Sequence, residues 1–301
     1  MSNFNTELKD RQAYINEVLE AFLPEVEGRQ KTVLDAMNYS VKIGGKRLRP
    51  ILILEMFRAF AGEDAEEERI EPFLAAMEML HTYSLVHDDL PDMDNDMYRR
   101  GQLTTHAKYG SAMAILAGDA LLNYSFETAC KAFDFGGDEE WNLQVSEALK
   151  VFATKAGIFG MIGGQTVDVE KTGMPLSEEE ITFIYELKTC ALLESSMVIG
   201  AILGGASEKQ LKDIVWMASC IGMAFQIQDD ILDLIGDEKK IGKAVRSDEK
   251  NEKTTYVTLY GIEESKKKVK ELSEAALELA VKLECTEFMK ELILYLTTRE
   301  N

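Results

Sequence analysis

Residues 211–237, LKDIVWMASCIGMAFQIQDDILDLIGD, combine a regular apolar pattern with a group of acids near its end. Apolar residues in this stretch are spaced by four, three, four and three positions, the repeat of an amphipathic helix: Leu211, Val215, Ala218, Gly222 and Phe225. The pattern continues into Asp229 without a turn signal. We therefore predict one long helix whose last turns carry carboxylates.

The rest of the chain also favours helices. Only 5 prolines occur in 301 residues, and the good helix formers Ala, Leu, Glu, Met and Lys are abundant. Residues 74–87 form a second long apolar stretch, which suits a helix that is buried on most sides. Turn signals divide the chain near Pro24 and at Gly44–Gly45, Glu63–Asp64, Leu90–Pro91, Gly136–Gly137, Gly173–Pro175 and Gly236–Asp237. The sequence predicts an all-α fold of roughly ten or more helices in a single domain over residues 1–301.

The composition argues against several kinds of partner. Lys and Arg total 33 against 53 Asp and Glu, which gives a formal net charge of −20. Nucleic acids and anionic membranes need a cationic face, so neither is expected as a partner. No run of about 18–20 apolar residues predicts a membrane span, and the N-terminus lacks the pattern of a signal peptide. The 4 cysteines lack metal or redox spacing, and we expect a cytoplasmic protein.

The acids near the end of residues 211–237 share one side of the predicted helix. Asp229 and Asp233 differ by about 40° around it, and Gln226 lies about 60° from Asp229 on the other side. Asp230 lies about 100° from Asp229. Solubility does not explain two carboxylates and an amide on an otherwise apolar helix. Oxygen ligands of this kind are typical of Mg²⁺, and no cysteine or histidine set favours zinc.

A second acidic group lies in residues 81–101, HTYSLVHDDLPDMDNDMYRRG, directly after the apolar stretch. It contains Asp88, Asp89, Asp92, Asp94 and Asp96. On a straight helix Asp88 and Asp94 would lie about 240° apart, so they can converge only if the helix ends or bends near Pro91. A solvated acidic loop is the alternative. Carboxylates neutralised by a metal fit better, because the group follows a buried-looking helix without a spacer.

Basic residues that could hold phosphate groups lie in residues 44–50, GGKRLRP. Three cations follow a glycine pair that allows close approach of the backbone, and Arg can bind phosphate oxygens through two donors. His81 lies seven positions before Asp88, on nearly the same helix face. Surface charge is the alternative for the basic residues, and a structural role is the alternative for His81. Further basic candidates are Arg99, Arg100, Lys188, Lys243 and Lys253.

Taken together, these motifs resemble the trans-type isoprenyl diphosphate synthases, most closely the bacterial farnesyl diphosphate synthases. The matching segments are GGKRLRP, HTYSLVHDDLPDMDNDMYRRG, AILAGDALL, GGQTVDV, ELKTCALL, FQIQDDILD and the GK and KTTY segments at Lys243 and Lys253. They cover residues 44–256, and their order makes the resemblance specific. The resemblance implies an isoprenoid synthase fold with the two acidic motifs across a deep central cavity, in a homodimer.

The resemblance also implies roles for individual residues. The diphosphate of isopentenyl diphosphate is assigned to Lys46, Arg49, His81 and Arg100. The allylic diphosphate is assigned to Arg99, Lys188, Thr189, Gln226, Lys243 and Lys253. Three Mg²⁺, two at the first acidic group and one at the second, are assigned to Asp88, Asp94, Asp229 and Asp233, with support from Asp89 and Asp230. Gln165 and Asp168 are expected nearby. The chain departs from the family pattern at Asn95, Met97 and Val257.

The implied reaction passes through an allylic cation that an apolar cavity shields from water. The double bond of isopentenyl diphosphate attacks this cation, and the departed diphosphate removes the proton. Tyr83 and Ser84, just before Asp88, are expected to limit product length, which favours farnesyl diphosphate over the alternative, geranylgeranyl diphosphate. A class I terpene cyclase has no use for GGKRLRP, and a non-catalytic partner subunit would lack acids in one motif. Both are therefore remote alternatives.

Overall fold

The computed structural model describes residues 2–62, 65–136, 138–235 and 254–298. The chain divides into two compact units. Unit 1 comprises Met1–Leu54 and Asp64–Leu149, and unit 2 comprises Glu55–Glu63 and Lys150–Asn301. The expectation of a single domain therefore stays a prediction.

Unit 1 is built from helices and one very short hairpin. Its elements are α1 (Ser2–Phe22), α2 (Lys31–Lys42), α3 (Leu48–Phe60), α4 (Glu71–Asp88), β1 (Tyr98–Arg99), β2 (Gln102–Leu103), α5 (Thr105–Tyr109), α6 (Ser111–Cys130) and α7 (Glu139–Ala156). The last residues of α3 and of α7 belong to unit 2. Short 3₁₀ turns cover Glu67–Ile70 and Lys131–Phe135. The strands β1 and β2 pair antiparallel, with Tyr98 opposite Leu103.

The core of unit 1 is organised around α4. Phe73, Leu74, Met77 and Leu80 on this helix are fully buried, and α6 packs along it. Pro72 occupies the first turn of α4, where its missing N–H costs no hydrogen bond. The buried helix predicted over 74–87 is thus confirmed.

Unit 2 is entirely helical in the part of the chain that the structure describes. Its elements are α8 (Met161–Glu170), α9 (Glu178–Ile184), a π-helical segment (Tyr185–Cys190), α10 (Ala191–Leu203), α11 (Glu208–Ile235), α12 (Tyr256–Lys282) and α13 (Glu287–Thr297). The helix α11 packs on α12, on α10 and on the π-helical segment.

The long helix predicted from residues 211–237 is α11, but the buried face differs from the predicted one. Val215 is 39% exposed and Phe225 is only half-buried. The face that packs into unit 2 contains Ile214, Met217, Ala218, Ile221, Ala224, Ile227 and Ile231. Ile214 and Val215 are both large aliphatic residues, so the apolar pattern alone does not decide which of them turns inward.

The all-α prediction is confirmed, and so are the predicted breaks in the described residues. Helices end at Phe22, Lys42, Phe60 and Asp88, close to the turn signals of the sequence. No helix in the described ranges is long and apolar enough to cross a membrane.

Candidate active site

The first aspartate pair, Asp88–Asp89, stands where α4 ends and the chain turns sharply. The amide of Asp94 donates to the carbonyl oxygen of Asp88 at 2.9 Å, which closes the turn. Asn95 follows with a positive φ of 54°. The bend that the sequence requires near Pro91 is therefore present, and it brings Asp94 back to Asp88 at the level of the backbone. Asp92, Asp94 and Asp96 are exposed.

The two members of this pair differ in environment. Asp89 is 3% exposed, whereas Asp88 is half-buried. Arg99 Nε donates to both oxygens of Asp89 at 3.0 and 2.9 Å, and Arg99 Nη2 donates to Oδ1 at 2.6 Å. Burial raises the pKa of the Asp89 carboxyl, and these hydrogen bonds oppose the rise. Burial lowers the pKa of Arg99, but the hydrogen bonds and the negative charge of Asp89 raise it more. The pKa of Arg99 therefore lies above its usual value.

The hairpin of β1 and β2 places the two arginines. Arg100 and Gly101 form its two-residue turn, and both have a positive φ, of 53° and 76°. Turns of this kind match the twist of the paired strands. Arg99 thereby reaches Asp89, while the guanidinium of Arg100 lies against Gly45, where an added Cβ would stand 2.6 Å from Arg100 Nη1. A side chain at residue 45 would displace the Arg100 guanidinium, and the φ of 152° at Gly45 also favours glycine.

Arg49, His81 and Arg100 come together in unit 1, as the resemblance implies. Arg49 Nη1 lies 3.3 Å from His81 Nε2. Burial lowers the pKa of His81 well below its usual value, and the charges of Arg49 and Arg100 lower it further. Burial likewise lowers the pKa of Arg49 to about 10. Lys46 lies exposed on the same loop. Arg49, Arg100 and Lys46 thus concentrate positive charge in one region of a strongly acidic protein.

One donor of this group has no acceptor. Arg49 Nε is buried and makes no hydrogen bond to any described residue. Burying a donor without a partner costs free energy, about 1–3 kcal/mol or more for a charged group. A phosphate oxygen would satisfy it.

Arg47 has a different role from the one its motif suggests. Its Nη1 donates to Glu78 at 2.6 Å, and both side chains are 3% exposed. It also donates to Asn16 and to the carbonyl of Val41. The second cation of GGKRLRP therefore anchors the loop inside unit 1. The sequence signal lies in α4 and not in the basic run, since Glu78 is the only acid among residues 73–87.

The second aspartate pair, Asp229–Asp230, lies on the regular helix α11. Asp229 is exposed and Asp233 is half-buried, whereas Asp230 is 6% exposed. Tyr185 donates its hydroxyl to Asp230 Oδ2 at 2.5 Å, and Gln226 Nε2 lies 3.3 Å from Asp230 Oδ1. Sequence reasoning missed Tyr185, because no pattern around it indicates a partner on another helix.

Lys188 and Thr189 belong to the π-helical segment, a rare geometry that is frequent at functional sites. Lys188 Nζ donates to Asp168 Oδ2 at 2.5 Å, and Thr189 donates to Gln226 Oε1 at 2.9 Å. Asp168 is on α8, which packs closely against the π-helical segment because Gly164 has no side chain. A Cβ at Gly164 would stand 2.3 Å from the amide nitrogen of Lys188. All four side chains line one cavity of unit 2.

The remaining predicted residues are placed as follows. Tyr83 is 5% exposed, and its ring meets that of His87 edge-on, with centroids 5.8 Å apart. Burial, with a contribution from Asp88, raises the pKa of Tyr83 to about 12. Ser84 donates to the carbonyl of His81 at 2.9 Å, and Gln165 lies on α8. Lys243 and Lys253 lie outside the described residues.

Known proteins resemble this chain over nearly all of its length. A farnesyl diphosphate synthase of Geobacillus stearothermophilus is 42% identical over 269 residues, 89% of this chain and 88% of that protein. A geranylgeranyl diphosphate synthase of Cyanophora paradoxa is also 42% identical, over 283 residues, 92% and 90% of the two chains. The crystal structure of an FPP/GFPP synthase from Zymomonas mobilis matches with a TM-score of 0.84 and 30% identity, over 98% of each chain. The family model for polyprenyl synthetases matches residues 30–293, and the chain belongs to the polyprenyl synthetase family.

Proposed function

We propose that the chain is a Mg²⁺-dependent prenyltransferase that joins isopentenyl diphosphate head to tail to dimethylallyl and geranyl diphosphates, giving (E,E)-farnesyl diphosphate and diphosphate. The observation that carries the proposal is the buried donor of Arg49, beside His81 and Arg100 and without an acceptor in the described residues. An arginine held in this way is a ready anion site. Relatives whose names specify prenyl diphosphates make a diphosphate the anion of choice.

The carboxylates fit Mg²⁺ as a partner. Among the described residues, no three acidic, histidine or cysteine side chains are grouped closely enough to hold a metal alone. Mg²⁺ does not need such a cage, because it is usually held by one or two carboxylates together with water and substrate phosphates. Asp88 and Asp94 would hold two ions, and Asp229 and Asp233 a third. When bound, Mg²⁺ supplies positive charge that neutralises the departing diphosphate.

Different residues of the chain bind the two substrates. Lys46, Arg49, His81 and Arg100 bind isopentenyl diphosphate. Lys188, Thr189 and Gln226 bind the allylic diphosphate, together with Arg99, Lys243 and Lys253. Asp168 keeps Lys188 in place, and the apolar helix faces exclude water from the cation.

The reaction then follows from charge balance. The bond between the allylic carbon and its diphosphate breaks, and the electron pair leaves with the diphosphate, whose charge Lys188 helps to neutralise. The double bond of isopentenyl diphosphate attacks the allylic carbon. The proton lost from the new cation goes to the departed diphosphate.

We further propose that the two units act as one catalytic domain, on one pair of substrates. A homodimer and a cytoplasmic location complete the proposal.

The deciding experiment is incubation of the purified protein with Mg²⁺, isopentenyl diphosphate and each allylic diphosphate, followed by sizing of the products. Farnesyl diphosphate from both dimethylallyl and geranyl diphosphate is the expected result. Geranylgeranyl diphosphate as the main product would favour the second candidate, which the relative from Cyanophora paradoxa supports equally by identity. Hydrocarbon or alcohol formed without isopentenyl diphosphate would indicate a cyclase. Inactivity with both substrates would indicate a partner subunit.

A further inference from the structure

A continuous set of buried and partly buried hydrogen bonds in unit 2 joins three segments around Asp230. Tyr185 is the first residue of the π-helical segment and is 7% exposed. Its hydroxyl donates to Asp230 Oδ2 on α11. The amide of Tyr256, the first residue of α12, lies 3.2 Å from this carboxylate oxygen and 3.2 Å from the Tyr185 hydroxyl oxygen. One oxygen of Asp230 thus holds two other segments of the unit.

The other oxygen of Asp230 extends the set toward the proposed allylic site. It lies 3.3 Å from Gln226 Nε2. The side-chain oxygen Oε1 of Gln226 accepts from the Thr189 hydroxyl at 2.9 Å. The side-chain amide of Gln226 is therefore held through its nitrogen by Asp230 and through its oxygen by Thr189. Thr189 lies in the same π-helical segment as Tyr185, next to Lys188. The hydrogen bonds therefore lead from this segment through Asp230 and Gln226 back to the same segment.

Two of the three segments carry residues proposed to bind the allylic diphosphate. The π-helical segment carries Lys188 and Thr189, and α11 carries Gln226 next to Asp229. Thr255 caps α12 with its side chain, so the start of that helix is fixed as well. A shift of Asp230 would move the binding residues of the π-helical segment and of α11 together.

A tyrosine suits this position because its donor is neutral. The amide of Tyr256 adds the favourable N-terminal end of a helix to the same carboxylate. Among the described residues, Asp230 thus accepts from the Tyr185 hydroxyl and the Tyr256 amide, both of which are neutral donors.

We propose that Tyr185 is a positioning residue for allylic substrate binding: through Asp230 it fixes Gln226 and Asp229 relative to Lys188 and Thr189. This inference rests on the proposed prenyl transfer. Tyr185 acts through the groups that it orients and not by contact with the reacting carbon.

The test is the variant Tyr185→Phe, which keeps the ring and removes only the hydroxyl. Loss of a group that orients metal and substrate ligands typically reduces affinity or activity about 10–100-fold. We expect kcat/KM for geranyl diphosphate to fall by about this factor, with a higher Mg²⁺ concentration needed for half-maximal rate. The KM for isopentenyl diphosphate should change less than about twofold, because unit 1 supplies its ligands.

The matched control is Tyr109→Phe. Tyr109 also donates its hydroxyl to an aspartate, Asp35, at 2.9 Å, but in unit 1 and at an exposed position. We expect all of its kinetic constants to stay within about twofold of wild type. The melting temperature of Tyr185→Phe should fall by no more than about 5 °C, as expected for one lost hydrogen bond.

The outcomes separate the two proposals. A wild-type protein without prenyl transfer activity overturns the proposed function itself. An active wild type with Tyr185→Phe unchanged in every constant overturns the positioning role alone. Equal losses for both substrates, or a larger fall in melting temperature, also overturn it, because they indicate a general structural role for Tyr185.

Discussion

Asp88–Asp89 in unit 1 and Asp229–Asp230 in unit 2 are two adjacent aspartate pairs in different surroundings. In each pair the first aspartate is the more exposed one, and the second is 3% or 6% exposed. In each pair the buried aspartate accepts hydrogen bonds from a side chain distant in the sequence. For Asp89 this donor is the Arg99 guanidinium, and for Asp230 it is the Tyr185 phenol.

The difference between the donors reflects the backbone on which each pair stands. The first pair lies at a helix end, followed by a turn with three further exposed aspartates. A buried carboxylate in such a negative region needs a full positive charge. The second pair lies within a regular helix, where the described donors to Asp230 Oδ2 are the Tyr185 hydroxyl and the amide at the N-terminus of α12. From this shared pattern we propose that the more exposed aspartate of each pair binds Mg²⁺ and that the buried aspartate keeps the surrounding side chains in position.

The strongest test of this division exchanges the more exposed aspartate of each pair for asparagine. Asp88→Asn and Asp229→Asn should each lower kcat about 10²–10³-fold, because transition-state charge loses an electrostatic partner. Their melting temperatures should stay near that of wild type, since both side chains are solvent-accessible. Steady-state kinetics and calorimetry measure the two effects. A variant that unfolds early while keeping its rate would reverse the assignment.

The positions of Asp88 and Asp229 on their helices were predictable from the sequence, and the hydrogen bonds of their buried neighbours were not. Apolar spacing placed α4 and α11, and the geometry of Pro91 required the bend after Asp88. The partners of Asp89 and Asp230 lie 10 and 45 residues away, and only packing brings them together. For the same reason the inward turn of Arg47 toward Glu78 could not be read from a run of cations.

A second test compares the two donors. Arg99→Leu leaves a buried carboxylate without its cation, so the free energy of unfolding should fall by about 2–4 kcal/mol. Tyr185→Phe removes one neutral donor and leaves the Tyr256 amide and Gln226 in place, so the loss should be only about 1 kcal/mol. Urea unfolding measures both values, with Arg99→Lys as the variant that keeps the charge. Equal losses for Arg99→Leu and Tyr185→Phe would show that the type of donor does not matter.

A third test concerns the residues five positions before each pair. Tyr83 occupies this position on α4, and the fully buried Ala224 occupies it on α11. Only the first can limit the space for a growing prenyl chain by its bulk. Tyr83→Ala should therefore shift the product from fifteen toward twenty carbons, at a cost in stability of about 3–5 kcal/mol. Chromatography of the products measures the shift, with Tyr83→Phe as the control that keeps the bulk. An unchanged product would remove Tyr83 from chain-length control.

The smallest expected effect comes from the residues seven positions before each pair, His81 on α4 and Gly222 on α11. Because the pKa of His81 is lowered in the folded protein, its contribution to stability is full above the unfolded value of 6.5 and is lost as the pH falls below it. A diphosphate among Arg49, Arg100 and His81 would offset the arginine charges and raise this pKa, so binding should take up a fraction of a proton near pH 6. Calorimetric titration of inorganic diphosphate in two buffers of different ionisation enthalpy measures this uptake. His81→Gln should reduce the uptake and flatten the fall in melting temperature below pH 6.5. If the variant keeps both effects, His81 does not adjoin the bound anion and Arg49 must bind it without the imidazole.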